Sequence, residues 1–597
     1  MATKMQLRAI HRAVGVLTLV MLLAPPAAAQ DSPLLQAMRD ELTRAMSSLR
    51  IPNQPPPYYI GCTIDDVAGR QISATLGATL GDGRRRSRTL RVDVRVGDYA
   101  RDSSRFFSFD RDPGINSMYA MGTAEAPLDD DVAVLRRQLW LVIDAAYRRA
   151  LGNFAKKQAA QQNQATPDPI PDWSRETPRT TRLPVVAPEV AIGAWGDHVR
   201  ALSTALAVSG ITRSDAAIIV TQGTRYGVNS EGFTTVAPIQ TAVVRLSADT
   251  QAADGMPLRD SVSVHARTLA GLPPLADLTA RARELVAGLV ALRQAPVGEA
   301  YTGPVLVEGS GASELLAQTL VPLFLTLRAP ELENPQMLGP MGGAGSSPFL
   351  TRVGSRVLPE SFSVSDTPSL ARFDGREVAG AYAVDDEGIP AQDVTLCEKG
   401  LLKTLLTSRT PQKGFVASNG HGRGGVPSAG VFQLQSSSAV SAAALKDKYL
   451  ARLKADGRAF GYIVRGVAAG GQGSGDPEDM MMGGMMMRGQ GGPAGPAIVR
   501  AYRVTPDGVE TLVRGLQFDT VPHAAFRDIL DASTERSLYS YRATLPPPMQ
   551  MLAMMQGGMA SESIVSIIVP NLLFEELEIA KPDRPFQRPP VVPSPLP

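Results

Sequence analysis

Apolar residues recur at helical spacing in several stretches of this chain. Leu35, Met38, Leu42, Met46 and Leu49 share one stripe, which predicts an amphipathic helix over Ser32–Leu49 stopped by the prolines from Pro52 to Pro57. Leu135, Leu139, Ile143 and Tyr147 predict a second over Asp129–Leu151, acidic in its first turn and basic later, as the helix dipole favours. Further helices are expected at Trp195–Leu206, at Leu275–Arg293 and from near Ala312. Period-two alternation marks strands. Leu90, Val92, Val94 and Val96 interleave with Arg91, Asp93 and Arg95, the pattern of a sheet with one wet face. Ala216–Thr221 and Gly232–Leu246 read as strands around a turn at residues 226–232.

Punctuation divides the chain. Lys4, Arg8 and Arg12 precede an apolar run, Ala13–Ala24, followed by Pro25, Pro26 and three alanines. That is a secretory signal over 1–29, too short and proline-broken to span a bilayer, and it predicts export to the periplasm or the medium. Residues 155–185, rich in Gln, Pro and charge, read as an exposed linker, and Pro296 to Gly303 as a domain boundary. The second half is strand- and glycine-rich with one obvious helix; residues 471–496 read as a disordered loop and 582–597 as a proline-rich tail. The expected fold class is α+β in two domains, 30–298 and 299–581.

Charge and chemistry narrow the function. Lys and Arg number 60 against 58 Asp and Glu, so nothing draws the chain to nucleic acid or anionic lipid. Cys62 and Cys397 allow at most one disulfide, and Cys397, on an expected strand, reads as a buried thiol. His198, His265, His421 and His523 are not paired at metal-ligand spacing, and His421, among glycines, reads as a loop histidine exposed to solvent. Asp385, Asp386 and Glu387 cannot all face one cation from a strand; they read as a turn bonding backbone amides. Gly342–Ser347 lacks the lysine of a phosphate loop, and no G-x-S-x-G elbow occurs. Eleven of 21 methionines cluster at 480–487 and 549–559; thioethers there suit Cu(I), but composition drift explains them as well.

The stretch from Asp385 to Arg423, with its D-D-E-G-I-P run and Ser418-Asn419-Gly420-His421-Gly422-Arg423, resembles the TldD/PmbA family. So do Tyr301–Leu306 leading into a helix, Gly354–Val357, Val364–Asp366, the turn Asn229-Ser230-Glu231-Gly232, and the closing strand Ile564–Ile579. The resemblance spans most of 195–580. It implies an N-terminal α/β sandwich-like domain and a C-terminal antiparallel β-rich domain. Peptidase members of the family carry H-E-x-x-x-H on the helix after the first C-terminal strand, and a cysteine near the C-terminus completes their zinc site.

Here that window reads Ser313-Glu314-Leu315-Leu316-Ala317-Gln318, and the closing region offers only Ser561, Ser563 and Ser566. Glu314 alone keeps its identity, so no metal and no cofactor is expected. The resemblance implies a non-catalytic subunit that holds unfolded peptide for a motif-bearing paralogue, or that self-associates. The alternatives are an active metallopeptidase with rearranged ligands and an envelope protein binding peptide or metal.

Overall fold

The computed structural model describes residues 32–107, 122–162, 169–333, 347–468, 495–543 and 563–581. The expected signal, the proline-rich tail and both methionine clusters lie outside them.

Alternating apolar residues make the first sheet. β1 (Pro57–Thr75) and β2 (Ala78–Val96) form a long antiparallel hairpin whose turn residues, Leu76 and Gly77, both have positive φ (49° and 81°). Beyond the pair β3 (Phe106–Phe107) come β4 (Thr123–Glu125), β5 (Thr180–Arg182), β6 (Arg213–Asn229), β7 (Thr234–Gln251) and β8 (Pro257–Ala266). The described sheet runs β4-β2-β1-β6-β7-β5, with β8 added to β7; all pairs are antiparallel except β5–β7. Ile60, Cys62, Ile64 and Ile72 share one side of β1, and that side meets every N-terminal helix. Helices α1 (Pro33–Ser48) and α2 (Val132–Gln162) cover one half of it. Helices α3 (Trp195–Leu206) and α4 (Leu275–Gln294) cover the other. The N-terminal unit is thus one layer of sheet and one of helices.

The second sheet closes on itself. β9 (Tyr301–Val307) leads into α5 (Ser310–Thr319); β10 (Glu331–Leu332) then pairs with β3 of the N-terminal unit. β11 (Phe362–Asp366), the hairpin β12 (Arg372–Phe373) and β13 (Arg376–Glu377), β14 (Val394–Glu398), β15 (Leu401–Leu402), the ribbon β16 (Gly422–Arg423) and β17 (Val426–Pro427), and β18 (Val431–Ser436) precede α6 (Ala442–Ala455). β19 (Gly461–Val467), β20 (Ala497–Val504), β21 (Glu510–Val513), β22 (Leu516–Phe518), β23 (Ile529–Ala543) and β24 (Ser563–Ala580) complete the chain. Because β24 pairs with both β22 and β9, the strands β24-β22-β20-β19-β9 make a small closed barrel, and β15-β14-β11-β18 extend from β24. Its filling includes Val305, Val307, Tyr462, Val464, Phe518 and Phe574, all buried.

Four expectations change. The C-terminal sheet is mixed rather than antiparallel, since β18–β24 and β19–β9 are parallel. A second helix, α6, buries only Leu445, Tyr449 and Leu453 amid lysines and alanines, too narrow a stripe to stand out in the sequence. The face of β2 expected to be wet is so only in part: Asp93 is exposed and Arg91 half-buried, but Arg95 is buried, 3.4 Å from the Trp173 ring. Finally, the stretch 155–185 is not an exposed linker throughout. It begins inside α2, and Lys157, Asp172, Trp173 and Ser174 are buried because their charges and rings are matched within the protein.

Candidate functional site

Helix α5 carries the window of interest, and its placement follows from packing. Ala312, Leu315 and Leu316 bury one face in the C-terminal core. At Gly311 a Cβ would come within 3.0 Å of the Arg465–Gly466 backbone, so the missing side chain lets the helix lie directly on β19. Glu314 then lines a cavity of about 180 Å³ together with Ser310, Ser313, Val467 and Arg500, residues 537–540 of β23, Asp260–His265 of β8, Arg281 of α4 and Arg376 of β13. The cavity therefore lies between the two domains.

Glu314 accepts a hydrogen bond from the Val467 N–H at 2.9 Å. Burial pushes its carboxyl up to about 8, against that hydrogen bond and with help from nearby Asp260. Burial raises Asp260 too, opposed by Arg500, whose Nε lies 3.8 Å from the Asp260 carboxylate. The two positions that flank Glu314 are committed elsewhere. The Ser313 hydroxyl, with no solvent exposure, lies 3.2 Å from that of Ser537. The Gln318 amide donates to the carbonyls of Glu314 and Ala468 at 3.0 and 2.9 Å. On the closing strand, Ser566 donates to or accepts from Ser540 at 2.8 Å and accepts from Gly380 N–H; Ser563 is buried and Ser561 lies outside the described residues. A hydroxyl and an amide already bonded within the protein do not fit a zinc ion. Among the described residues no three His, Cys, Asp or Glu side chains are placed to share a metal.

One imidazole does enter this cavity. His265 comes from the N-terminal sheet, a placement that no local motif signals, and burial together with Arg542 and Arg245 pushes it down to about 4. His421 corrects the reading of an exposed loop histidine. It has no solvent exposure and its Nε2 lies 3.2 Å from the Asp366 carboxylate, because the surrounding glycines let the backbone pack tightly over it. His198 stacks edge-on against Trp195. Cys62 and Cys397 are free and buried.

The acidic stretch from Asp385 that carried the resemblance builds a junction rather than the cavity. Asp385 accepts from the N–H groups of Glu387, Ile389 and Gly422; Asp386 accepts from Gly424 and Glu387 from Arg409. The acidic run is thus a turn that bonds backbone amides. Burial raises Asp385, reinforced by Glu387, and pushes Glu387 up to about 7. Across the junction, Arg225 bridges Asp65 and Asp386. Burial would raise Asp65, but Arg225 and Arg91 outweigh it and hold the carboxyl near about 2.

Comparison with known proteins places this architecture. Residues 302–456 match the PmbA/TldA metallopeptidase C-terminal domain. A stretch of 80 residues is 38% identical to a metalloprotease PmbA homolog of Haemophilus influenzae, covering 13% of this chain and 17% of that protein. Another, of 82 residues, is 34% identical to a metalloprotease of Archaeoglobus fulgidus, covering 13% and 18%. The aligned stretches thus span less than a fifth of these curated relatives. Among solved structures, a putative modulator of DNA gyrase from Thermotoga maritima aligns with a TM-score of 0.55 at 14% identity, over 91% of this chain and 99% of that one. TldE from Thermococcus kodakarensis aligns at 0.52 and 14%, over 91% and 100%. The class is a TldD-like α+β fold with an N-terminal antiparallel sheet and a C-terminal barrel-containing region. Residues 302–456 are thus a C-terminal domain of the PmbA/TldD metallopeptidase family, set in a chain that shares the TldD-like fold.

Proposed function

We propose that this chain is an exported, non-catalytic member of the family that holds unfolded peptide, as a TldE-like subunit beside a motif-bearing paralogue or as a self-associated assembly. The observation that carries the reading is the state of α5: Glu314 remains, while Ser313 and Gln318 replace imidazoles and spend their polar atoms on Ser537 and Ala468. Peptide holding is supported by the strands around the cavity. β8 pairs only with β7 among the described strands, and β23 pairs with β24 apart from one bridge at Ser533. Both strands line the same cavity, and strand edges are where an extended peptide adds by backbone pairing. Export rests on the pattern of residues 1–29, and no described helix is long and apolar enough to cross a membrane.

A second reading, an active metallopeptidase with rearranged ligands, draws on His265 lining the cavity with Glu314 and Asp260. One experiment separates the two. The purified mature chain is assayed for bound metal and for cleavage of an unstructured peptide, alone and with a paralogue bearing the intact H-E-x-x-x-H. The first reading expects no stoichiometric metal, no cleavage alone and peptide binding. Bound zinc lost to chelator together with cleavage overturns it in favour of the second.

A further inference from the structure

The cationic side of the cavity is unbalanced. Three arginines line it, Arg281, Arg376 and Arg500, against the carboxyls of Asp260 and Glu314. Arg500 is spoken for by Asp260 and by Glu284, 3.2 Å from its Nη1. Glu314, whose carboxyl burial holds up to about 8, stays largely protonated at neutral pH. Arg281, half-buried, and Arg376, on the exposed rim, line the cavity with neither an ion pair nor a hydrogen bond among the described residues. They come from different domains, and the chain holds them there deliberately. Arg376 sits on the hairpin β12–β13, whose turn residues Asp374 and Gly375 have φ of 47° and 73°. On the opposite side of that strand, Glu377 accepts from the N–H groups of Arg267 and Thr268, both at 3.2 Å, and from the Thr268 hydroxyl. That anchor fixes the hairpin on the N-terminal unit and turns its neighbour toward Arg281. The two guanidinium groups repel: burial and Arg281 both push Arg376 downward, with only Asp374 opposing. Like charges held in one cavity without a counter-charge are stabilised by an anionic occupant, and guanidinium forks match a planar carboxylate in bidentate fashion.

We propose that Arg281 and Arg376 form a carboxylate clamp that takes the free C-terminus of a peptide entering the cavity. The inference rests on the peptide-holding reading above and adds to it a preference for chain ends. The volume agrees. At about 180 Å³ the cavity falls below the roughly 300–1,000 Å³ of ordinary ligand pockets, room for the end of a chain rather than for a long segment. An oxyanion such as free phosphate shares the chemistry and is distinguished by the test.

The test measures anisotropy of an unstructured octapeptide, labelled at its N-terminus, on the full mature chain. The free-acid and C-terminally amidated forms are compared, with inorganic phosphate titrated separately. Amidation is expected to weaken binding by about tenfold or more. Arg376→Gln and Arg281→Gln are each expected to weaken the free acid and leave the amide unchanged. Neither side chain is bonded to the protein, so unfolding midpoints should stay near wild type. Should Arg281→Gln fail to fold, Arg376→Gln on its exposed hairpin still decides. Equal binding of acid and amide overturns the clamp and leaves peptide holding standing. Binding of neither form overturns both. Phosphate bound through the two arginines while the peptides do not discriminate assigns the clamp to another anion and overturns the C-terminus.

Discussion

The guanidinium of Arg409, with no solvent exposure, donates to both carboxylate oxygens of Glu231 at 2.6 and 2.7 Å, joining the C-terminal domain to the turn between β6 and β7. It lies 4.6 Å from the Trp173 ring, and its other terminal nitrogen contact is the Ser174 carbonyl at 2.6 Å. Tyr99 adds a hydrogen bond to the same Glu231 at 2.7 Å. Four segments distant in sequence thus meet at one ion pair.

Breaking that pair from one side leaves the other charge buried without a partner. Arg409→Met is expected to destabilise the protein by about 3–5 kcal/mol. Arg409→Met combined with Glu231→Gln is expected to cost less than Arg409→Met alone, because no charge is then stranded. Denaturant unfolding followed by Trp fluorescence measures both. A double variant worse than the single one would show that shape, not charge, holds the junction.

Asp172 is the second such centre. Lys157 and Arg105 reach it at 2.7 and 3.0 Å, and Arg328 lies 3.7 Å away. Three cations converge on one fully buried carboxylate, so the effects of substitution are asymmetric. Asp172→Asn removes the carboxylate that all three share and is expected to cost about 3–5 kcal/mol, whereas Lys157→Met leaves Asp172 paired with Arg105 and costs on the order of 1–2. Thermal midpoints of the two variants rank them; the opposite order contradicts the account.

How far the chain could be read in advance depended on whether a feature was local. Helices α1, α3 and α4 were legible because their apolar stripes are wide, and β2 because Leu90 to Val96 alternate without a break. Barrel closure was not legible, since it depends on β24 meeting β9 across more than 250 residues, which no local pattern encodes. At the cavity, Glu314 was found from its window on α5, but Arg281, Arg376, His265 and Asp260 were missed. Each is an isolated polar residue on its own element, and only the docking of β8 and the β12–β13 hairpin brings them beside α5. His421 misled for a related reason: a glycine-rich run reads as open loop, yet here those glycines permit close packing.

The two thiols give a simple check on the packing. Cys62 and Cys397 are buried and unpaired, and burial pushes each up to about 12. A thiol without solvent contact or thiolate character reacts slowly. At pH 8 a chromogenic disulfide reagent is expected to find no fast-reacting thiol in the native protein and two in guanidinium chloride. Fewer than two after unfolding without reductant would reveal a disulfide and contradict the structure.

Glu314 makes the pH dependence of stability specific. Its carboxyl is pushed from an ordinary 4.5 to about 8 by burial, so the folded state holds a proton that the unfolded chain gives up. Below about pH 4.5 both states are protonated and the residue imposes no cost. Between 4.5 and 8 only the unfolded state ionises, so stability falls as pH rises, and above 8 the folded state ionises too and the loss levels off. Glu314→Gln keeps an acceptor for the Val467 N–H but cannot ionise. The variant is therefore expected to match wild type at low pH and to exceed it at pH 8–9 by on the order of 2–4 kcal/mol. Asp385 and Glu387 also titrate upward, but they are common to both proteins and cancel in the difference. Unfolding midpoints of the pair from pH 4.5 to 9 trace that difference directly. Parallel curves across the range would mean that Glu314 is solvated in the folded protein, and that the floor of the cavity is more open to water than its geometry shows.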